Sequence, residues 1–294
     1  TPLYIACEKG HLDVARLLLE AGAAMDQASN SGATPLYIAC EKGHLDVARL
    51  LLEAGAAVNQ ANARGATPLL VACQEGRVEI ARLLLEVNAA VDQARDDGVT
   101  PLYIACKEGH LDIVRLLHDA GAAVGQANAR GATPLFVACQ ESQLECARLL
   151  LGADAAANQA TRNGVTPLFI ACQKGHLDIA RLLLKVSAAI NQARHHDGCT
   201  PLNIACDQFE IAQLLVNARA AVNQATANGV TPLHSACHKD RPAVVRCLLQ
   251  AGADSTRRNA DGCTALHIAK EQGHAECALA IEAAAREAEA SRAA

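Results

Sequence analysis

Thr34–Ala66 reads TPLYIACEKGHLDVARLLLEAGAAVNQANARGA. The same thirty-three residues, altered in detail, return along the whole chain of 294. Thr-Pro-Leu opens at Thr1, Thr34, Thr67, Thr100, Thr133, Thr166, Thr200 and Thr231, and a ninth copy opens with Thr264-Ala265-Leu266. The steps are 33, 33, 33, 33, 33, 34, 31 and 33 residues. A fixed period of this length marks stacked supersecondary units, each of which has a core only because its neighbours complete it. Length alone would suggest two domains. The repeat overrides that and predicts one array over 1–294 with no internal boundary.

The unit explains itself physically. Thr34 can cap a helix with its hydroxyl, and Pro35 stands at the first helical position, where a missing N–H costs nothing. Leu36, Ala39 and Cys40 then share one face at helical spacing, and Gly43 can take the left-handed conformation that ends the helix. A second helix is predicted from about Leu45 to Ala54. Asp46 lies near its positive end, and Val47, Ala48, Leu50 and Leu51 turn inward. Gly55 ends it. Ala56 to Ala66 is too polar and short for a helix, and Gly65 supplies a positive φ for a tight turn.

The pattern TPLxxAxxxGHxxxxxxLLxxGAxxN, with a loop glycine two residues before the next threonine, resembles the ankyrin repeat, and the resemblance covers essentially the whole chain. It implies an all-α, ankyrin-type solenoid of stacked helix-turn-helix units with projecting hairpin loops, and a non-catalytic, protein-binding role.

Composition narrows the partners. Hydrophobic residues make up 51% of the chain, much of it alanine, which suits closely packed helix pairs. The formal charge of −5 shows no bias towards nucleic acid or anionic membrane and slightly favours basic partners. No run is long enough to span a bilayer. Eight of the thirteen cysteines (Cys7, Cys40, Cys73, Cys106, Cys139, Cys172, Cys206, Cys237) occupy one inner slot. Neighbours one layer apart exceed the ~4.4–6.8 Å that a disulfide spans. Free thiols and a reducing compartment, cytosol or nucleus, are expected.

Departures from the unit cluster late. The glycine ending the second helix becomes Asn88, Asp154, Ser187 and Arg219; repeat 6 gains a loop residue at His195-His196-Asp197-Gly198; repeat 7 loses its Gly-His; repeat 8 places Pro242 at the start of its second helix. The junction of repeats 6, 7 and 8 is the expected weak point. The last helix, over 275–294, is rich in Ala, Glu and Arg and reads as a capping helix. At the other end Thr1 opens in mid-motif on an ordinary internal repeat, so either further repeats are expected to precede it or the chain is expected to be an excised fragment.

The fourth residue of the unit is Tyr4, Tyr37, Leu70, Tyr103, Phe136, Phe169, Asn203, His234 and His267, and it holds five of the six aromatic residues in the chain. Such rings either pack between layers and against the loop or edge a binding face. Polar pairs end the first helix, and pairs also vary at the loop tips. The resemblance makes these the partner-touching positions. The candidate strip is Tyr37, Glu41, Lys42, Arg64, Gln74, Glu75, Asp96, Asp97, Tyr103, Lys107, Glu108, Arg130, Phe136, Gln140, Glu141 and Arg162.

Other rows carry less. Arg16, Arg49, Arg82, Arg115, Arg148 and Arg181 follow an acidic residue by three positions, an i,i+3 pattern suited to a solvated face. His11, His44, His110, His176 and His274 all follow the turn glycine and are expected to make a turn hydrogen bond. His234, Cys237 and His238 have the spacing of a weak metal site, but Cys237 sits in the buried row and no third group orients a base. Neither a cofactor nor catalysis is expected. The reading is a scaffold or adaptor that binds a protein or peptide as a monomeric array. The alternative is a regulatory or structural segment of a larger channel, enzyme or ubiquitin-ligase adaptor.

Overall fold

A computed structural model describes residues 1–293, with the side chains of all of these but 289 and 291–293. The chain divides into two compact units, Thr1–Ala156 and Ala157–Ala294. The first holds five helix pairs: α1 (Pro2–Lys9) and α2 (Leu12–Glu20), α3 (Pro35–Lys42) and α4 (Leu45–Glu53), α5 (Pro68–Gln74) and α6 (Val78–Glu86), α7 (Pro101–Glu108) and α8 (Leu111–Asp119), α9 (Pro134–Gln140) and α10 (Leu144–Gly152).

Each pair starts as its sequence dictates. Thr34 is extended (φ −83°, ψ 166°), its hydroxyl accepts the Tyr37 N–H at 3.1 Å, and Pro35 opens α3. Gly43, at φ 84°, ends it. Ser142, in the glycine slot of the fifth repeat, takes the same conformation at φ 61°, as do Asn88 at 59° and Asp154 at 60° at the ends of second helices. First helices stack on first helices, α1 on α3, then α5, α7 and α9, and the second helices follow more loosely. Alanines allow the close approach: Ala39, Ala48, Ala72, Ala81 and Ala105 are wholly buried, beside Leu36, Leu51, Leu84 and the cysteine row.

Three hydrogen bonds recur at the seams within this unit. In repeats 2, 3 and 4 the residue before the second helix reaches back to the preceding repeat: His44 Nε2 lies 3.1 Å from the Glu8 carbonyl, His110 Nε2 3.1 Å from that of Gln74, and Arg77 donates to that of Glu41 from Nε and Nη2 at 3.4 Å. The expected local turn bond is therefore an inter-repeat bond, because the first helix ends with carbonyls that have no intrahelical partner. Further on, Asp26, Asn59 and Asp92 accept the backbone N–H of Ala57, Ala90 and Ala123 in the next repeat at 2.8–3.0 Å. Last, adjacent loop tips join, Ala63 N–H to the Ser31 carbonyl at 3.0 Å, Asp96 to Arg64 at 3.2 Å and Ala129 to Asp97 at 2.8 Å.

The second unit holds α11 (Pro167–Lys174), α12 (Leu177–Lys185), α13 (Pro201–Ile204), α14 (Phe209–Asn217), α15 (Pro232–His238), α16 (Pro242–Gln250), α17 (Ala265–Glu271) and α18 (Ala275–Ala293). Without its Gly-His, repeat 7 cannot complete a first helix: α13 keeps four residues and a 3-10 turn, Ala205–Asp207, follows. Gln208 and Arg241 take over the seam, donating to the carbonyls of Gln173 at 3.5 Å and Asp207 at 3.2 Å. His274 Nδ1 does so against Cys237 at 2.8 Å. Residue 294, where the expected capping helix ends, lies outside the described residues.

The loops form closed turns. In each, one backbone bond shuts the base (Asn62 N–H to the Ala66 carbonyl, 2.9 Å), and the sole bridge among the described residues joins Arg258 and Thr264. Four or five residues are too few for a ladder, so the tips pair with neighbouring tips instead.

Candidate partner-binding site

The first helices α3, α5 and α9 are buried along their length and emerge only at their ends. In α3, Pro35 to Cys40 are all buried, Glu41 is half-buried and Lys42 is exposed. Four of the five end pairs of the first unit clasp themselves: Lys42 Nζ to Glu41 Oε1 at 2.8 Å, Gln74 Nε2 to Glu75 Oε1 at 3.0 Å, Lys107 Nζ to Glu108 Oε1 at 2.8 Å and Gln140 Nε2 to Glu141 Oε1 at 2.7 Å. Adjacent polar side chains on one turn hold each other, two pairs as ion pairs and two as amide-to-carboxylate bonds, so the row is ordered before anything docks.

The loop tips expose Arg64, Asp96, Asp97 and Arg130. Beneath them, Asn62 Oδ1 accepts the N–H of Arg64 at 2.9 Å and of Ala66 at 3.0 Å, and Asn128 does the same for Arg130 and Ala132. The third loop lacks that asparagine. Arg95 replaces it and grips Asp97 through Nε at 2.9 Å and Nη2 at 2.6 Å, while Asp97 Oδ1 accepts the Val99 N–H at 3.2 Å. The guanidinium holds the Asp97 carboxyl below the usual carboxylate range. In the second unit the Arg194–Asp197 pair repeats the device, Cys199 donating to Asp197 at 3.1 Å, and the Asp197 carboxyl falls to about 2. Asp97 thus builds its loop. Arg95, absent from the candidate strip, is its partner, and the signal for it was an Arg-x-Asp where the adjacent units have Asn62 and Asn128.

Two of the three aromatic candidates leave the surface. Tyr37 and Phe136 are 9% and 7% exposed, because the fourth residue of the unit packs under its own loop. The Tyr37 ring lies beside the Asn62 side chain there. In the second unit Phe169 is wholly buried, with the Arg194 guanidinium 5.3 Å from its ring centre. Asn203 and His234 fill the slot by bonding back to the caps Thr200 and Thr231. Tyr103 alone of the three stays part-exposed, its hydroxyl in the field of Asp97, Arg130 and Glu141. Arg162 belongs to the second unit, exposed at its first loop.

The remaining rows resolve simply. The i,i+3 pairs close at Arg82–Glu79 (3.7 Å), Arg148–Glu145 (3.5 Å) and Arg181–Asp178 (2.8 Å), and among the described residues none forms at Arg16, Arg49 or Arg115. The exposed side chains are long and solvated, which makes such pairs optional. His234 Nδ1 faces Thr231 and its Nε2 the Cys263 carbonyl, whereas His238 faces Gln272, so the His-Cys-His spacing does not converge. Among the described residues no three His, Cys, Asp or Glu side chains gather for a metal, and no helix is long and apolar enough to cross a membrane. All thirteen cysteines are free, and burial pushes the thiols of the inner row up, Cys7 to about 12. The two units differ in charge: residues 1–156 carry 19 acidic and 12 basic side chains, a net of −7, and residues 157–294 carry 12 and 14, a net of +2.

Short helix pairs stacked through a common face, seamed at fixed positions and topped by closed turns, define a helical repeat protein. The chain belongs to the ankyrin repeat family: the model of ankyrin repeats in three copies matches residues 1–62, 54–128, 87–160, 115–194, 152–226 and 208–287. It is similar to the crystal structure of the human ASB11 ankyrin repeat domain, with 27% identity and a TM-score of 0.68 over 75% of this chain and 98% of that one. No curated protein matches the sequence. Ankyrin repeats are generally protein–protein interaction modules.

Proposed function

We propose that the chain is a binding scaffold that holds a protein or peptide partner on the strip of first-helix ends and loop tips in the first unit. The observation that carries this is the contrast along each repeat: a buried first helix whose exposed end and tip are already fixed, by the clasped pairs at Glu41–Lys42, Gln74–Glu75, Lys107–Glu108 and Gln140–Glu141 and by the Asn62, Asp97 and Asn128 turns. Side chains ordered beforehand lose little entropy on docking, which leaves more of the contact energy as affinity. The acidic excess of this unit favours a basic surface on the partner. The free thiols support a reducing compartment, the cytosol or nucleus.

The test compares affinity capture from a cytosolic extract by the native chain and by a Glu75→Lys, Asp96→Lys, Glu141→Lys variant. All three side chains are exposed, so circular dichroism should be unchanged. Loss of a defined set of captured proteins is expected. Identical capture by both chains would remove the strip as the binding site.

A further inference from the structure

In the first eight repeats the leucine at the third place of the unit is 0–1% exposed, closed over in every case. Leu266 is the exception and is part-exposed, as is its cap Thr264, whose seven counterparts from Thr34 to Thr231 are 0–3% exposed. Leu266 floors a groove of about 560 Å³, walled by Ile281 and Ala285 of α18 and rimmed by Arg258 and Arg286. The single carboxylate on the rim, Glu282, is held by Lys270 Nζ at 2.7 Å and lies more weakly in the field of Arg286, so one carboxylate stands against three cations. Each arginine is fixed by one backbone bond, Arg258 Nη1 to the Gly262 carbonyl at 2.6 Å and Arg286 Nε to that of Glu282 at 3.3 Å. A guanidinium has five N–H donors, so both keep donors for a ligand.

We propose that this groove binds a short acidic peptide segment of another protein, with an aliphatic side chain on Leu266 and carboxylates on Arg258 and Arg286. An open apolar floor gains from a hydrocarbon side chain, and planar guanidinium groups match carboxylates in bidentate fashion. Charge complementarity selects the occupant: the second unit is net positive, and Arg258, Arg286 and Lys270 outnumber the one rim carboxylate, Glu282. The site is separate from the strip on the first unit and does not depend on it.

The test is fluorescence anisotropy of the full chain with a labelled nonapeptide of two leucines flanked by glutamates, against the same peptide with lysines in place of the glutamates. The acidic peptide should bind more tightly, and Arg258→Glu with Arg286→Glu should weaken it at least tenfold. Arg82→Glu, on α6 of the other unit, should leave it unchanged. If the reversed variant loses its circular dichroism, Arg258→Gln with Arg286→Gln serves in its place. Equal affinity for the two peptides, or affinity untouched by either double variant, overturns the proposal. So does a concentration-dependent dimer in sedimentation that the acidic peptide fails to dissociate, which would give the groove to a second copy of the chain.

Discussion

His11 and His44 follow the same sequence, in repeats identical over residues 1–24 and 34–57, yet their rings differ in what they hold. The His44 ring reaches the Glu8 carbonyl at 3.1 Å, and the His11 ring makes no hydrogen bond among the described residues. His44→Ala should therefore cost ~1 kcal/mol of stability in denaturant unfolding, the net worth of a typical hydrogen bond. His11→Ala should cost far less. Equal losses would show that the histidine acts within its own turn. A second histidine supplies a pH dependence. Burial holds the pKa of His234 below its usual 6.5, so as pH falls through 6.5 the unfolded chain takes up this proton first. Its contribution is complete above pH 6.5 and drains away below it. Asn203 fills the same slot with the same double bond to its cap, which makes His234→Asn the matched control. The variant should lose less in Tm than the native chain between about pH 7.5 and 5.5; parallel losses would assign the acid sensitivity elsewhere. For thiols, Cys247 and Cys263 are half-buried and the other eleven are buried. Ellman's reagent should find two fast sites in the native protein and the rest only on unfolding.

At the level of elements, the helices were legible and the loops were not. Thr-Pro at the start and glycine at the end fix helix boundaries through local chemistry, and the second helix ends at Glu53 with Ala54 as its cap, one residue short of the expected span. A loop's conformation depends on the neighbouring loop, which a period in sequence does not display. The same reason hid the fate of Tyr37 and Phe136: helical spacing places a ring on a face but does not say that its own loop closes over it. The clasped end pairs, by contrast, fall where the strip was read. Glycine substitutions separate local from neighbour effects. Gly22, at φ 81°, has open space where a methyl would stand, so Gly22→Ala should cost only the left-handed strain, ~1–2 kcal/mol. A methyl on Gly32, at φ 78°, would sit 2.4 Å from the Ala63 backbone nitrogen and should add ~1–3 kcal/mol of crowding. Thermal melts of the two variants check the order. In the second unit, left-handed Ser187, Arg219 and Asp240 and the truncated α13 gather in one stretch. Hydrogen exchange should be fastest across Ser187–Asp240, and uniform protection there would refute the weakness.

For the whole molecule, the seams matter most. At each recurring bond the acceptor lies in the earlier repeat and the donor in the later one: Glu8 before His44, Asp26 before Ala57, Ser31 before Ala63. Repeats 1 to 3 accordingly show acceptors to their successors, and repeats 2 to 4 show donors to their predecessors. The thirty-three-residue unit is thus a directional cassette. Excising residues 34–66 would bring Arg77 to the Glu8 carbonyl in place of that of Glu41, and the Ala90 N–H to Asp26 in place of Asn59, so the new joint offers the same chemistry as the two it replaces. Gene duplication and deletion in steps of one period can lengthen or shorten the stretch from repeat 1 to repeat 4 while its joints keep matching partners.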